Sequence, residues 1–262
     1  MKIISVINPK GGSAKTVSSV NICYALIKYG FRVLLIDSDP RGNIETYLGI
    51  KNENTLFELI KEQYELFFIN DLQKYIKQRN GLDIITSSSS LAKIDRYFKE
   101  DVESELDSIS DIKYLFKDYD FVVFDTEGTV NLLTKAILKV TDYIFTPTQA
   151  SNIDINGIKD LINIFEISKR KNPNLELKKI FIVRAKKNTN AYKNFSTQLK
   201  NYFHEDQFSN ICIREDQNIV NSMSLKSDIF NYKATSNAAV DYQNLVIEFL
   251  NSLNLNIERS NL

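Results

Sequence analysis

Short apolar runs rich in Val, Ile and Phe recur along the chain between longer segments of helical periodicity. They are Ile3–Ile7, Val33–Ile36, Leu82–Ile85, Phe121–Phe124, Tyr143–Phe145, Ile180–Val183 and Ile211–Ile213. Near-continuous apolar runs of this length read as strands covered on both faces. Such strands, separated by helices, predict an α/β fold with a parallel sheet and crossover helices. The first helix is expected to start after the first strand's loop and to run to about Lys28, with Gly30 ending it. Residues 55–78 and 91–117 also carry helical periodicity, the second with many acids. No repeat or Pro-rich joint interrupts the pattern, and the Ser87–Ser90 run reads as a loop. The expectation is a single doubly wound domain over residues 1–262, a mostly parallel sheet flanked by helices.

Glycine and proline sharpen this picture by their placement. Pro9, Gly11, Gly12, Pro40, Gly42, Gly128 and Pro147 all fall at the ends of expected strands. In an open α/β sheet the carboxyl ends of the strands are where ligands bind. The first of these ends reads "INPKGGSAKT", Ile7 to Thr16. Strand, glycine-rich turn, Lys-Thr and helix form a phosphate cradle, in which backbone N–H groups and the helix N-terminus face an anion. Lys15 would reach the terminal phosphates and the Thr16 hydroxyl would ligate Mg²⁺. The plainer alternative is a Gly-Gly turn with two surface lysines, which the strand–helix context disfavours. An ordinary phosphate loop would carry glycine where Pro9 and Ala14 stand, and Ala14 is a position where a methyl group disfavours a positive φ.

Composition excludes more than it assigns. Lys+Arg and Asp+Glu both total 33, so net charge gives no sign of a nucleic-acid partner and any basic surface must be local. The two cysteines, Cys23 and Cys212, sit in apolar segments with no metal-like spacing and read as small core residues. No apolar run approaches the ~18 residues of a membrane span, and the loop motif begins too early for a signal peptide. A cytoplasmic protein is expected. The single histidine, His204, lies far from the other motifs and receives no role.

"KGGSAKT" resembles the deviant Walker A motif, K-G-G-x-x-K-[ST], of the ParA/MinD family of P-loop ATPases, and "NPKGGS" is similar to the partition ATPases of its ParA branch. The resemblance implies that Lys10 is the signature lysine, reaching across a dimer interface to the phosphates on the other subunit. It implies a nucleotide-binding segment of Lys10, Gly11, Gly12, Ser13, Ala14, Lys15, Thr16 and Val17. "LLIDSDPRGN" resembles the family's D-x-D-P-x-G-N motif: Asp39 matches the carboxylate that positions the attacking water, Asp37 the one supporting the Mg²⁺ shell and Thr16. Taken alone, both aspartates are also ordinary turn formers before Pro40. "YDFVVFDTEG" resembles the Walker B strand, with Asp125 as a metal residue beside Thr16 and Asp37; Glu127 and Gly128 replace the usual prolines. "DYIFTPTQAS" resembles the strand and dimer-face loop that follow.

The family implies ATP and Mg²⁺ as ligands, Lys10, Lys15 and Asp39 as catalytic residues, and an ATP-dependent homodimer. Its partition branch implies non-specific DNA and a centromere-binding ParB-like adaptor as partners. Between Ile167 and Lys200 there are ten Lys and Arg against one acid, Glu176; this is either a DNA surface or a solvated helix face. Lys193, Lys200, Lys226 and Lys233 are the candidate DNA contacts, the last two from the resemblance. The C-terminal "NSLNLNIERSNL" lacks the basic amphipathic helix of membrane-bound members, so no membrane partner is expected. The alternatives are a MinD-like or other cargo-positioning ATPase, or a nucleotide-binding switch with little or no hydrolysis; with Ala14 in the loop, slow hydrolysis is expected.

Overall fold

The computed structural model describes residues 1–66, 68–94, 107–150 and 154–255. Its centre is a seven-stranded sheet built from β1 (Lys2–Val6), β2 (Val33–Asp37), β3 (Ile76–Arg79), β4 (Leu82–Ile85), β5 (Phe121–Asp125), β6 (Tyr143–Gln149) and β7 (Glu176–Val183). The spatial order is β3-β4-β2-β5-β1-β6-β7. Only β3 runs antiparallel to its neighbour; the other pairs are parallel. The helices are α1 (Lys15–Lys28), α2 (Asn43–Leu48), α3 (Leu56–Leu66), α4 (Asp107–Lys113), α5 (Leu132–Val140), α6 (Asp154–Lys171), α7 (Asn190–Tyr202), α8 (Gln217–Ser224), α9 (Ile229–Lys233) and α10 (Asn237–Ser252).

Alternate strand residues serve two cores. Ile4, Val6, Val33, Leu35, Phe121 and Val123 pack on the face covered by α1 and α10. Leu34, Ile36, Val122 and Phe124 pack on the opposite face with residues of α3 and α5. With both faces covered, most positions of a central strand are apolar, which is why the runs read as near-continuous; Ser5 of β1 is a buried exception, bonded to the Thr141 hydroxyl. Phe249 of α10 sits edge-on to Phe121, Tyr143 and Phe145, with ring centroids 6.1, 5.5 and 4.8 Å away. Cys23 and Cys212 are buried and unbridged, as small core residues.

Two expectations change and a third is covered only in part. The helix expected over 55–78 ends at Leu66; Ile76–Arg79 is instead a strand paired with β4. Asn80 and Gly81 join the pair, with φ of 49° and 82°, and an Asn-Gly pair at positive φ is the favoured two-residue hairpin turn. The 91–117 expectation lies partly outside the described residues, at 95–106; α4 fills 107–113. Ile211–Ile213 adds no strand. It runs beside the end of β7, where the Ile213 N–H donates to Ile182 O at 2.8 Å and Ala185 N to Ile213 O at 2.9 Å.

Parallel pairing brings the strand ends to one edge. Val6 pairs with Asp125, and Asp125 with Asp37, so the loops after β1, β2 and β5 converge.

Candidate functional site

The β1–α1 loop is held in an unusual backbone shape. Gly12 has φ 74°, and Ala14, the residue capping α1, has φ 64° and ψ 30°. The left-handed conformation costs a non-glycine residue about 1–2 kcal/mol. No side chain caps α1, so the N–H groups of its first turn are left for another acceptor. The loop is pinned from outside. Asn8 Nδ2 donates to Pro147 O at 2.8 Å, its Oδ1 accepts from the Lys10 N–H at 2.8 Å, and Gln149 Nε2 donates to Gly12 O at 2.8 Å.

Lys15 lies inside this loop, only 7% exposed. Its ammonium donates to Asn8 O at 3.1 Å and to Lys10 O at 3.4 Å. Burial lowers its pKa, and the carboxylates of Asp125, Asp39 and Glu127 act the other way. Gly128 lies over it: a β-carbon there would stand 3.6 Å from Lys15 Nζ, Gly11 N and Pro9 O. Glu127 turns into its own loop, accepting from Asn131 Nδ2 at 2.9 Å and from the Thr129 hydroxyl. Lys10 is half-buried; a β-carbon on Gly157 of α6 would stand 3.8 Å from Lys10 Cβ. Residues 151–153, within the expected dimer-face loop, lie outside the described residues.

Two aspartates meet at the strand ends. Asp125 is fully buried, and burial pushes its carboxyl up to about 6, against hydrogen bonds from the Thr16 and Ser19 hydroxyls. Ser19 Oγ donates to Asp125 Oδ1 at 2.9 Å. Asp37 is pushed up by burial and by Asp125 beside it. It accepts the backbone N–H of Asp39 at 3.0 Å and of Ile44 at 3.1 Å, and so fixes the start of α2. Among the described residues six buried side-chain oxygens have no hydrogen-bond partner, and two of them, Ser13 Oγ and Asp125 Oδ2, belong to this site. Orphaned polar atoms of this kind call for an explanation. Here they stand in the loop and strand end expected to meet phosphate and metal.

Asp39 is occupied by its neighbours. Burial acts to raise its pKa, and the Arg41 guanidinium more than offsets this, leaving it below the ordinary value. Arg41 N and Nε each donate to Oδ1 at 3.0 Å, and Nη2 donates to Oδ2 at 2.7 Å.

A cleft of about 540 Å³ opens over the loop, lined by residues 12–17 with Asp39, Arg41, Arg184, Met223 and Lys226. A second, of about 530 Å³, shares Ala14, Val17, Arg184 and Met223 with it and reaches Tyr242. Sequence reading missed Arg184, Met223, Arg41 and Asn8. Arg184, with φ 51° just past β7, was findable as a residue at the carboxyl end of a strand; Met223 carried no signal.

Of the candidate DNA contacts, Lys193 and Lys200 are exposed on α7, which carries no acid, and Lys233 is exposed at the end of α9. Lys226 is exposed too and lines the cleft, where its Nζ donates to Thr46 O at 2.6 Å. Its stem lies 3.0 Å from where Gly49 would carry a β-carbon. The linear basic excess is broken up by the fold. Lys179 is buried with Glu248 at 2.6 Å, Lys186 pairs with Glu215 at 2.7 Å and Lys178 with Glu176 at 3.1 Å. Among the described residues no helix is long and apolar enough to cross a membrane.

Comparison with known proteins agrees with this geometry. The chain matches the AAA domain family over residues 1–177. The sporulation initiation inhibitor protein Soj of Bacillus subtilis is 26% identical over 251 residues, covering 94% of this chain and 97% of that protein. A plasmid partition protein from Borrelia burgdorferi aligns with a TM-score of 0.66 and 26% identity, over 88% of this chain and 96% of that one. Cobyrinic acid a,c-diamide synthase from Mycobacterium smegmatis, solved with an ATP analogue and magnesium, shares the fold at a TM-score of 0.80 and 18% identity, over 97% and 96% of the two chains. The chain thus belongs to the AAA domain family, as a P-loop ATPase of the ParA/MinD group on its ParA branch.

Proposed function

We propose that the protein is an ATP-dependent DNA partition ATPase acting as a single domain over residues 1–262. ATP with Mg²⁺ favours a sandwich dimer, the dimer holds DNA regardless of sequence, and hydrolysis stimulated by a ParB-like adaptor releases it. The observation that carries this reading is the strained loop around buried Lys15, with unpartnered Ser13 Oγ and Asp125 Oδ2 beside it. Hydroxyl and carboxylate oxygens are the donors a hard cation prefers. When bound, Mg²⁺ neutralises charge on the phosphates.

The chain's own residues supply the rest. Backbone N–H groups of residues 11–17 cradle phosphate oxygens, and Lys15 redirects its ammonium from the Asn8 and Lys10 carbonyls to them. Thr16 and Asp125 hold the cation, with Asp37 beside Asp125 fixing the loop that presents Asp39. Asp39 orients water. Lys10 reaches the phosphates of the second subunit, so the dimer depends on the nucleotide state. Lys193 and Lys200 offer phosphate contacts, doubled in a dimer. The saturated Asp39 favours slow turnover in a cytoplasmic, nucleoid-associated protein.

Single-turnover ATP hydrolysis, together with DNA retention at several salt concentrations in ATP, ADP and no nucleotide, tests this. Wild type should hydrolyse ATP slowly, bind DNA most tightly with ATP and lose it steeply with salt. Replacing Lys193 and Lys200 by Glu should weaken DNA retention and leave ATP affinity intact. ATP hydrolysis without DNA binding in any state at low salt would favour a positioning ATPase on another matrix. Binding without hydrolysis would leave a nucleotide switch.

A further inference from the structure

We propose that Arg41 is a positioning residue that keeps Asp39 away from water, so that the resting rate of ATP hydrolysis is set by how often its guanidinium lets go; this rests on reading Asp39 as the water-orienting carboxylate. An ionised carboxylate has about four acceptor sites. Four donors already meet Asp39: the Arg41 N–H and Nε on Oδ1, and Arg41 Nη2 and Asn43 Nδ2 on Oδ2, the last at 3.1 Å. No acceptor site is left for a water molecule in this arrangement.

The two partners differ in freedom. The Asp39 side chain is 2% exposed and the Arg41 side chain 63%. Asp39 is fixed by its loop, with its own N–H on Asp37 and its carbonyl accepting from Ser87 Oγ at 2.6 Å. Arg41 can swing into solvent without moving any packed element. Arg41 also lines the cleft over the phosphate loop, so its release would happen beside the bound nucleotide. Hydrolysis forms a bond from water oxygen to the terminal phosphorus and breaks the bond from phosphorus to the bridging oxygen. The bridging electron pair stays with ADP, and the products are ADP, inorganic phosphate and a proton. Asp39 can accept a hydrogen bond from that water only after giving up one of these four, and two of them, including the shortest at 2.7 Å, come from the Arg41 guanidinium.

The test uses the full chain with Mg²⁺ and ATP in single-turnover hydrolysis, with nucleotide affinity measured separately by calorimetry. Arg41→Gln removes the charged fork and leaves the backbone N–H and Asn43 in place. It should hydrolyse roughly fivefold faster, the modest effect expected of a half-exposed pair, with ATP affinity within about twofold. Arg41→Lys, a charge without the bidentate geometry, should restore part of the restraint. In an Asp39→Ala background the Arg41→Gln change should have no effect on rate. An unchanged or slower rate in Arg41→Gln, a gain that persists without Asp39, or an affinity loss matching the rate change would each overturn the inference. Full hydrolysis by Asp39→Ala alone would instead sink the reading of Asp39. An inert Asp39→Ala beside an unaltered Arg41→Gln would sink only the role of Arg41.

Discussion

Lys15→Met separates the lysine's part in binding from its part in folding. Methionine keeps the length and the buried stem and removes the ammonium. That ammonium now rests on two carbonyls at 3.1 and 3.4 Å, the second a long contact that is easily given up. Hydrogen bonds from a charged group contribute about 1.5–3 kcal/mol each. Losing one or two of them to the phosphates is about 3 kcal/mol, or roughly 150-fold in Kd. With nucleotide at about 1,000 times the wild-type Kd, binding stabilises the fold by about 4 kcal/mol. For a chain of this size that corresponds to a Tm rise of about 8–16 °C. The same concentration should stabilise Lys15→Met by only about 1 kcal/mol, or roughly 2–5 °C. Without nucleotide the two proteins should melt within about 3 °C of each other, because removing a buried charge offsets the loss of its two hydrogen bonds. The assay is thermal unfolding with and without a slowly hydrolysed ATP analogue and Mg²⁺. An equal nucleotide-induced shift in both proteins would refute the placement of Lys15 on the phosphates. A collapse of the nucleotide-free variant would make the lysine a structural strut instead.

Lys10→Ala should bind the analogue yet sediment mainly as monomer where wild type sediments as dimer; equal dimer in both would remove the role across the interface. Asp125 gives a pH signature. Its folded pKa of about 6 lies above the unfolded value of about 3.9, so the folded state holds its proton more tightly. Its contribution is least unfavourable below pH 4, and stability falls as pH rises to 6, by about 3 kcal/mol in the absence of metal. Urea unfolding at pH 4.5 and 7 should show that fall reduced in Asp125→Asn, with Asp37, shifted the same way, keeping part of it. Parallel pH dependence in the two proteins would show that Asp125 is not the buried acid described.

The first 40 residues were readable because each of their features is local. Periodicity marks strands covered on both faces, and parallel strands place their carboxyl ends together, which puts Lys15, Thr16 and Asp37, and further along the chain Asp125, at expected strand ends; the roles of Asp37 and Asp125 follow from the resemblance to the ParA/MinD family. The Asn80-Gly81 turn is equally local, but the helical periodicity on its N-terminal side overlaps the strand that leads into it. Other features depend on distant chain. The ten basic residues between Ile167 and Lys200 form a patch in sequence, but Lys179 goes inside to Glu248 and Lys186 pairs with Glu215. Charge counted along a chain does not say which way a side chain points. Met223 and Lys226 close the cleft from the far end of the chain because α8 packs near α2, and no local pattern encodes that contact. Ile211–Ile213 is apolar because Ile211 and Ile213 pack on the core that includes Tyr242 and Cys212 on the one that includes Phe195, while its backbone hydrogen-bonds to the end of β7 without forming a strand of its own. Hydrophobic patterning determines which positions are buried; only the packed structure decides what buries them.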